Sequence, residues 1–317
     1  MVTHAKRHPA SVLRVRITAC FALPLTDKMQ LIAWAHDTHD GFTLRGWHTP
    51  PTGKPLIHFL HGNGFCGRTY EPMLRALSQR FDLWLSDVQG HGDSDAGERF
   101  VGWNRCAELA VEAFKQRLPV FGHVPCFGLG HSFGGVLTCL IMADHPRLFK
   151  RAVLLDPVIF SATMALGITL AETAGLARHT PLARAALRRR AHWPDRDSAM
   201  DTLRGRGTYK GWREDALRAF ADHALKDEAD GGVALKCSPA REAAIFSSAP
   251  VGLWSSLRRV HTPTRLIHAR HTFPFVVSSA ELWSASNRAV TVEQLKGGHC
   301  FMQEHPEETA ARVAEFL

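Results

Sequence analysis

The sequence predicts an α/β protein: a mostly parallel sheet covered by helices on both faces, with a helical segment inserted between two of its strands. Three observations carry that reading. Short apolar runs alternate with longer segments of helical spacing, the pattern of strands joined by helical crossovers. The alternation stops near residue 158 and resumes near residue 251. Finally, the glycine-flanked serine of Gly130-His131-Ser132-Phe133-Gly134 stands between a strand-like run and a helix-like one.

In chain order, Val12, Leu13, Val15 and Ile17 read as a first strand. Lys6, Arg7, Arg14 and Arg16 break what would otherwise be an apolar signal core, so a cytoplasmic protein is expected. Residues 29–35 and 42–47 read as strands joined by the turn-like His39-Asp40-Gly41. Leu56-Ile57-His58-Phe59-Leu60, bounded by Pro55 and Gly62, reads as a central strand. Residues 70–80 have helical spacing at Met73, Leu74 and Leu77. Leu83-Trp84-Leu85-Ser86-Asp87 is the next strand, and Gly90-His91-Gly92-Asp93-Ser94 the loop after it. A helix is expected over 100–118, then the strand Pro125-Cys126-Phe127-Gly128-Leu129, the serine turn and an apolar helix over 135–142. Arg151-Ala152-Val153-Leu154-Leu155-Asp156 is a strand stopped by Pro157.

Residues 158–250 are arginine-rich and punctuated by Pro181, Pro194 and Gly205, and they are expected to be helical without a strand. They read as a cap, or lid, on a core formed by 1–157 and 251–317. Thr264-Arg265-Leu266-Ile267-His268 and Ala289-Val290-Thr291-Val292 restore the α/β rhythm, and residues 304–317 close the chain as a helix starting near Pro306.

A chain of 317 residues suits one large α/β domain with an insertion, or two ordinary domains. With 45% hydrophobic and 21% charged residues it can build a full core. No run approaches eighteen apolar residues, so no membrane span is expected. The seven cysteines are odd in number and form no Cys-x-x-Cys pair, which suits free thiols. Cys126 and Cys139 read as small core residues, whereas Cys66 and Cys300 flank site segments without needing a role there. The net charge of +8 is uneven: residues 178–213 hold nine arginines and Lys210 against Asp195, Asp197 and Asp201. A solvated helix face is the plain explanation; attraction of an anionic substrate is the functional one. Nucleic acid is not expected as a partner.

Ser132 is the candidate nucleophile, because a serine on a sharp strand-to-helix turn is held exposed while glycines let neighbouring backbones pass close by. A serine hydroxyl needs a base, a group to orient that base, and donors for the oxyanion. His299, in the late loop Gly297-Gly298-His299-Cys300-Phe301, is the candidate base. The orienting acid is harder to place. After the strand that follows the cap stands Thr272, and residues 251–280 contain no Asp or Glu. Asp156, ending the strand after the serine's helix, is the candidate, since ligands gather at the carboxyl ends of such strands; Glu281 and Glu293 are the fallbacks. The simple alternative for Asp156 is an Asp-Pro turn. For the oxyanion, one N–H is expected from Phe133 and one from His61-Gly62-Asn63-Gly64-Phe65, with Asn63 first and Gly64 second. His61 reads as loop support. Trp193, Tyr209, Trp212 and Phe220 are candidate lining residues of an acyl pocket, although packing of the cap explains any one of them as well.

With these segments in place, the chain resembles the α/β-hydrolase superfamily. His61-Gly62-Asn63-Gly64-Phe65, Gly90-His91-Gly92-Asp93-Ser94, Gly130-His131-Ser132-Phe133-Gly134-Gly135 and Gly297-Gly298-His299 fall in that family's order and spacing over roughly residues 28–160 and 251–317. The resemblance implies an eight-stranded sheet with a helical cap. It departs at the acid, which the family usually places where Thr272 stands and some members place where Asp156 stands. It also implies no alkyl-enzyme ester of the haloalkane dehalogenase or epoxide hydrolase kind, because those members carry aspartate at the position of Ser132.

The expected function is a serine esterase or lactonase working through an acyl-enzyme on Ser132, without a cofactor. An acyl-CoA thioesterase whose cap arginines, Arg188-Arg189-Arg190 among them, meet phosphates is the near alternative. A non-catalytic ligand receptor on a hydrolase scaffold is the alternative of another class. A metal site is not expected: the pairs His58 and His61, and His268 and His271, have no carboxylate or cysteine at ligand-like spacing.

Overall fold

The computed structural model describes residues 29–229 and 231–317. The strand expected at Val12, Leu13, Val15 and Ile17, and Cys20, lie outside the described residues.

The core is an eight-stranded sheet. It opens with β1 (Ile32–Asp37) and β2 (Thr43–His48), an antiparallel pair. Gly41 sits in the turn between them at φ 81°, a backbone geometry open to glycine. β2 runs antiparallel to β4 (Asp82–Asp87). From there β3 (Leu56–Leu60), β5 (Cys126–His131), β6 (Arg151–Leu155), β10 (Thr264–His271) and β11 (Val290–Gly298) continue in parallel. The spatial order is β1-β2-β4-β3-β5-β6-β10-β11.

β3, β4 and β5 are buried at every position, as continuous apolar runs covered on both faces should be. Alternate residues serve alternate faces. Leu56 and Leu60 join one apolar cluster, while Ile57 and Phe59 join the other. α1 (Glu71–Ser78) lies on the Phe59 face; α2 (Trp103–Arg117) and α3 (Phe133–Asp144) lie on the Leu56 face.

The inserted segment between β6 and β10 carries α4 (Ala162–Thr173), α5 (Pro181–Leu187), α6 (Arg196–Leu203), α7 (Glu214–His223), α8 (Pro239–Phe246) and α9 (Leu253–Arg259). Ser161, Thr180, Asp195 and Ser238 cap α4, α5, α6 and α8 by accepting an N–H of the first turn, and Pro181 and Pro239 open two of them. The expectation of a strand-free segment is corrected. β7 (His192–Trp193), β8 (Leu225–Asp227) and β9 (Val233–Leu235) form a small antiparallel sheet in the order β7-β9-β8. Strands of two or three residues are too short to display a period of two in sequence. α10 (Pro274–Ser286), α11 (Phe301–Glu304) and α12 (Pro306–Phe316) complete the chain, and α12 packs beside α1.

β4 is added on one side of β3 and β5 on the other, so the winding direction reverses at β3. The crevice beyond the carboxyl ends of β3 and β5 is where an open α/β sheet places a ligand. The loop 61–65 and Ser132 both lie there.

Candidate active site

Ser132 lies between β5 and α3 at φ 53° and ψ −115°. Only it and Asp156, at φ 46°, have positive φ among the described non-glycine residues. A non-glycine residue in that region costs about 1–3 kcal/mol, so the surrounding packing must hold it there. The packing is visible at the glycines. A Cβ on Gly134 would stand 2.3 Å from the Leu60 carbonyl oxygen, and one on Gly130 would stand 2.4 Å from that of Gly134. The start of α3 is thus pressed against the end of β3. Ser132 N–H donates to the Leu155 carbonyl at 3.0 Å, tying the turn to β6.

Three of the expected residues are brought together. Ser132 Oγ is 2.9 Å from His299 Nε2, and His299 Nδ1 is 2.5 Å from Asp156 Oδ2. With Nδ1–H donating to the carboxylate, Nε2 is left to accept from the serine hydroxyl. Asp156 is wholly buried. Its Oδ1 accepts Ala269 N–H at 2.7 Å, and its Oδ2 also accepts the Thr272 hydroxyl. Thr272, the residue found where an acid was sought, therefore donates to the acid on the neighbouring strand. The fallback acids lie elsewhere: Glu293 faces Arg265 and Arg312, and Glu281 is exposed.

In the loop 61–65, Gly62 N–H donates to Tyr70 Oη at 3.0 Å and Gly64 N–H to His91 Nε2 at 3.0 Å. Gly64, second choice as an oxyanion donor and a candidate substrate contact, is thus already engaged. Among the described residues, the N–H groups of Asn63 and Phe133 have no acceptor. Both residues line the cavity that contains Ser132 and His299. His61 supports the loop, its Nε2 accepting Val88 N–H at 3.0 Å.

A second histidine was not read from the sequence. His131 Nε2–H donates to the His299 carbonyl at 3.0 Å, which leaves Nδ1 to accept the Tyr70 hydroxyl at 2.6 Å. Burial first, then the nearby His299, hold His131 well below the ordinary imidazole range, so it stays neutral. Gly62, Tyr70, His131 and His299 form one hydrogen-bonded chain across the site. The only sequence signal was a histidine inside the serine motif.

The cavity measures about 360 Å³ and is largely apolar, with Trp103, Phe160, Ile245, Phe246 and Phe275 in its wall. The candidate lining aromatics are elsewhere. Trp193, Tyr209 and Phe220 are buried in the apolar cluster that includes Phe65, with Trp212 packed against it, because their ring surface is removed from water there. The three arginines of 188–190 diverge: Arg188 and Arg190 are exposed, while Arg189 turns into the cavity and pairs with Glu242 at 2.7 Å. A second cavity of about 540 Å³, with Lys210, His271 and Glu304 in its wall, shares Thr208, Phe273 and His299 with the first. Cys66 and Cys300 are buried, and burial pushes both thiols up to about 12, leaving them protonated and poorly reactive.

A family model described as "Alpha/beta hydrolase family" matches residues 59–312. The chain belongs to that family. A type I acyl-CoA thioesterase, mpaH, of Penicillium roqueforti is 28% identical over 196 residues, covering 57% of this chain and 42% of that protein. The monoglyceride lipase of Mus musculus is 35% identical over 125 residues, covering 37% of this chain and 39% of the lipase. The matched part thus spans about two fifths of these relatives' length. Among solved structures, that of E-2-(acetamidomethylene)succinate hydrolase superposes with a TM-score of 0.70 at 23% identity, over 90% of this chain and 99% of the other. At that identity the likeness is one of fold. The chain is built on a mostly parallel sheet with helices on both faces, and no helix among its described residues is long and apolar enough to cross a membrane.

Proposed function

We propose that this hydrolase cleaves a carboxylic ester or lactone through an acyl-enzyme on Ser132. His299 Nε2 takes the serine proton as Oγ bonds to the carbonyl carbon, and Asp156 stabilises the imidazolium that forms. The negative oxygen accepts the N–H groups of Asn63 and Phe133. When the tetrahedral intermediate collapses, the carbon–oxygen bond to the alcohol breaks and His299 returns its proton to the departing oxygen. Water, deprotonated by His299, then attacks the acyl carbon, and Ser132 leaves as the acid is released. Residues 158–250 act in this reading as a cap that closes the apolar cavity over the acyl group, in a cytoplasmic enzyme with free thiols.

The observation that carries the reading is the line from Ser132 Oγ through His299 to buried Asp156, opening onto an apolar cavity. The test is turnover of p-nitrophenyl esters and lactones by the wild-type protein and Ser132→Ala. Hydrolysis lost in the variant, with its circular dichroism unchanged, is the expected result. A wild-type protein that binds these esters without turnover would favour a receptor instead.

A thioester is the second reading. Lys210, in the wall of the second cavity beside His299, and the exposed Arg188 suit a phosphate-bearing leaving group, and a relative is named an acyl-CoA thioesterase. Acyl-CoA and a p-nitrophenyl ester of the same acid separate the two: a kcat/KM for acyl-CoA above that for the ester selects the thioester.

A further inference from the structure

The apolar cavity holds one charged pair whose cost the fold does not explain. Arg189 and Glu242 side chains are 17% and 11% exposed, and both stand in the wall that contains Ser132 and His299. Arg189 Nη1 donates to Glu242 Oε2 at 2.7 Å, and Nη2 donates to the Tyr209 hydroxyl. A guanidinium carries five N–H donors. Nε–H and one hydrogen on each Nη have no acceptor among the described residues. Arg189 Nε is not among the buried unpartnered atoms, so it is open to water, and a polar guest in the cavity can take that water's place on these donors.

The position of the pair narrows where that guest lies. Arg189 Nη1 would stand 3.1 Å from a Cβ on Gly64, and the Glu242 carbonyl oxygen accepts Asn63 Nδ2–H at 3.1 Å. The unspent hydrogen on Nη1 is therefore beside the loop that supplies the Asn63 N–H.

Resting on the reading of Ser132 as nucleophile, we propose that the acyl group taken by this site carries a second oxygen acceptor, a ketone, hydroxyl or carboxylate, a few carbons from the scissile carbonyl, and that Arg189 binds it. A neutral acceptor fits better than a carboxylate, because Glu242 already balances the arginine and would repel a second anion. Arg189 is then a specificity residue, and Glu242 and Tyr209 hold its planar fork in place.

The test compares p-nitrophenyl pentanoate, p-nitrophenyl 4-oxopentanoate and mono-p-nitrophenyl succinate, each rate divided by that ester's own hydroxide-catalysed rate. The wild-type protein should favour the 4-oxo ester over the pentanoate by about tenfold or more in kcat/KM, since an apolar analogue leaves the site's donors unpaired. The ratio should fall close to one in Arg189→Met. Glu242→Gln, which removes the repelling charge, should raise the succinate relative to the 4-oxo ester. A wild-type ratio near one for both oxygenated esters, or a preference that survives Arg189→Met, overturns the proposal. Should Arg189→Met fail to fold, the wild-type ratio and the Glu242→Gln shift decide it. Loss of all three activities in Ser132→Ala tests the nucleophile separately, so either idea can fail alone.

Discussion

Asp156 is met by three donors: His299 Nδ1–H, Ala269 N–H and the Thr272 hydroxyl. A fully buried carboxylate needs such partners to remain charged. Asp156→Asn should keep the fold and lower kcat by about 10⁴, because an amide cannot hold the histidine in the required tautomer with a compensating charge. Steady-state kinetics on the purified variant check this, and turnover near the wild-type level would remove the assignment. Thr272→Val tests the donor. Removing a hydrogen bond to a charged group costs about 1.5–3 kcal/mol, so kcat should fall at least severalfold, with Thr272→Ser restoring most of it. Ser132, His299 and Asp156 were legible because each sits at a strand end in a recognisable local pattern. Thr272 was not, since its partner lies just after β6, 116 residues earlier. Arg189 was not separable from Arg188 and Arg190, because what turns it inward is Glu242, 53 residues away.

At the scale of elements, the site depends on six segments meeting: the β3 loop, the turn before α1, the β5–α3 turn and the segments that follow β6, β10 and β11. Gly134 lets α3 rest on β3. Gly134→Ala would drive a Cβ into the Leu60 carbonyl. Overpacking of this kind costs about 1–3 kcal/mol, and the loop bearing Asn63 must shift with it. Thermal unfolding should show a fall of several degrees, and turnover should fall further than the lost folded fraction explains. Tyr70 joins the same segments through its hydroxyl. Tyr70→Phe leaves Gly62 N–H and His131 Nδ1 without a partner, at about 1–3 kcal/mol for a buried polar group. The predicted result is lower kcat with KM for a simple ester little changed. The strands and helices of the main sheet announced themselves through short apolar runs alternating with segments of helical spacing. The small three-stranded sheet did not, because β7, β8 and β9 take their pairing from one another and not from any periodicity of their own.

At the scale of the whole molecule, the buried histidines govern the response to acid. Burial lowers His58 to about 3 and His61 to about 4, and it holds His91 and His131 well below the ordinary value of 6.5. Below pH 6.5 the unfolded chain takes up protons that these groups refuse when folded, so stability falls as pH falls. At pH 5 His58 and His61 each account for about 2 kcal/mol of that loss, and His91 and His131 act in the same direction. Asp87 opposes them: burial raises it to about 6 from 3.8, so its folded form binds a proton first and stability gains about 1 kcal/mol by pH 5. The balance favours loss, and it is large against the 5–15 kcal/mol typical of a folded domain. Melting temperatures measured from pH 7.5 down to 4.5 should drop steeply below pH 6.5. A flat or rising curve would mean that these imidazoles are charged in the folded protein.

The most direct measurement is the mass of the protein, and then of its peptides, after treatment with a fluorophosphonate. One phosphonyl group per chain, carried by Ser132 and absent from His299→Ala over the same interval, is the predicted result. No adduct on an actively hydrolysing protein, or an adduct on another residue with Ser132 unmodified, would contradict it.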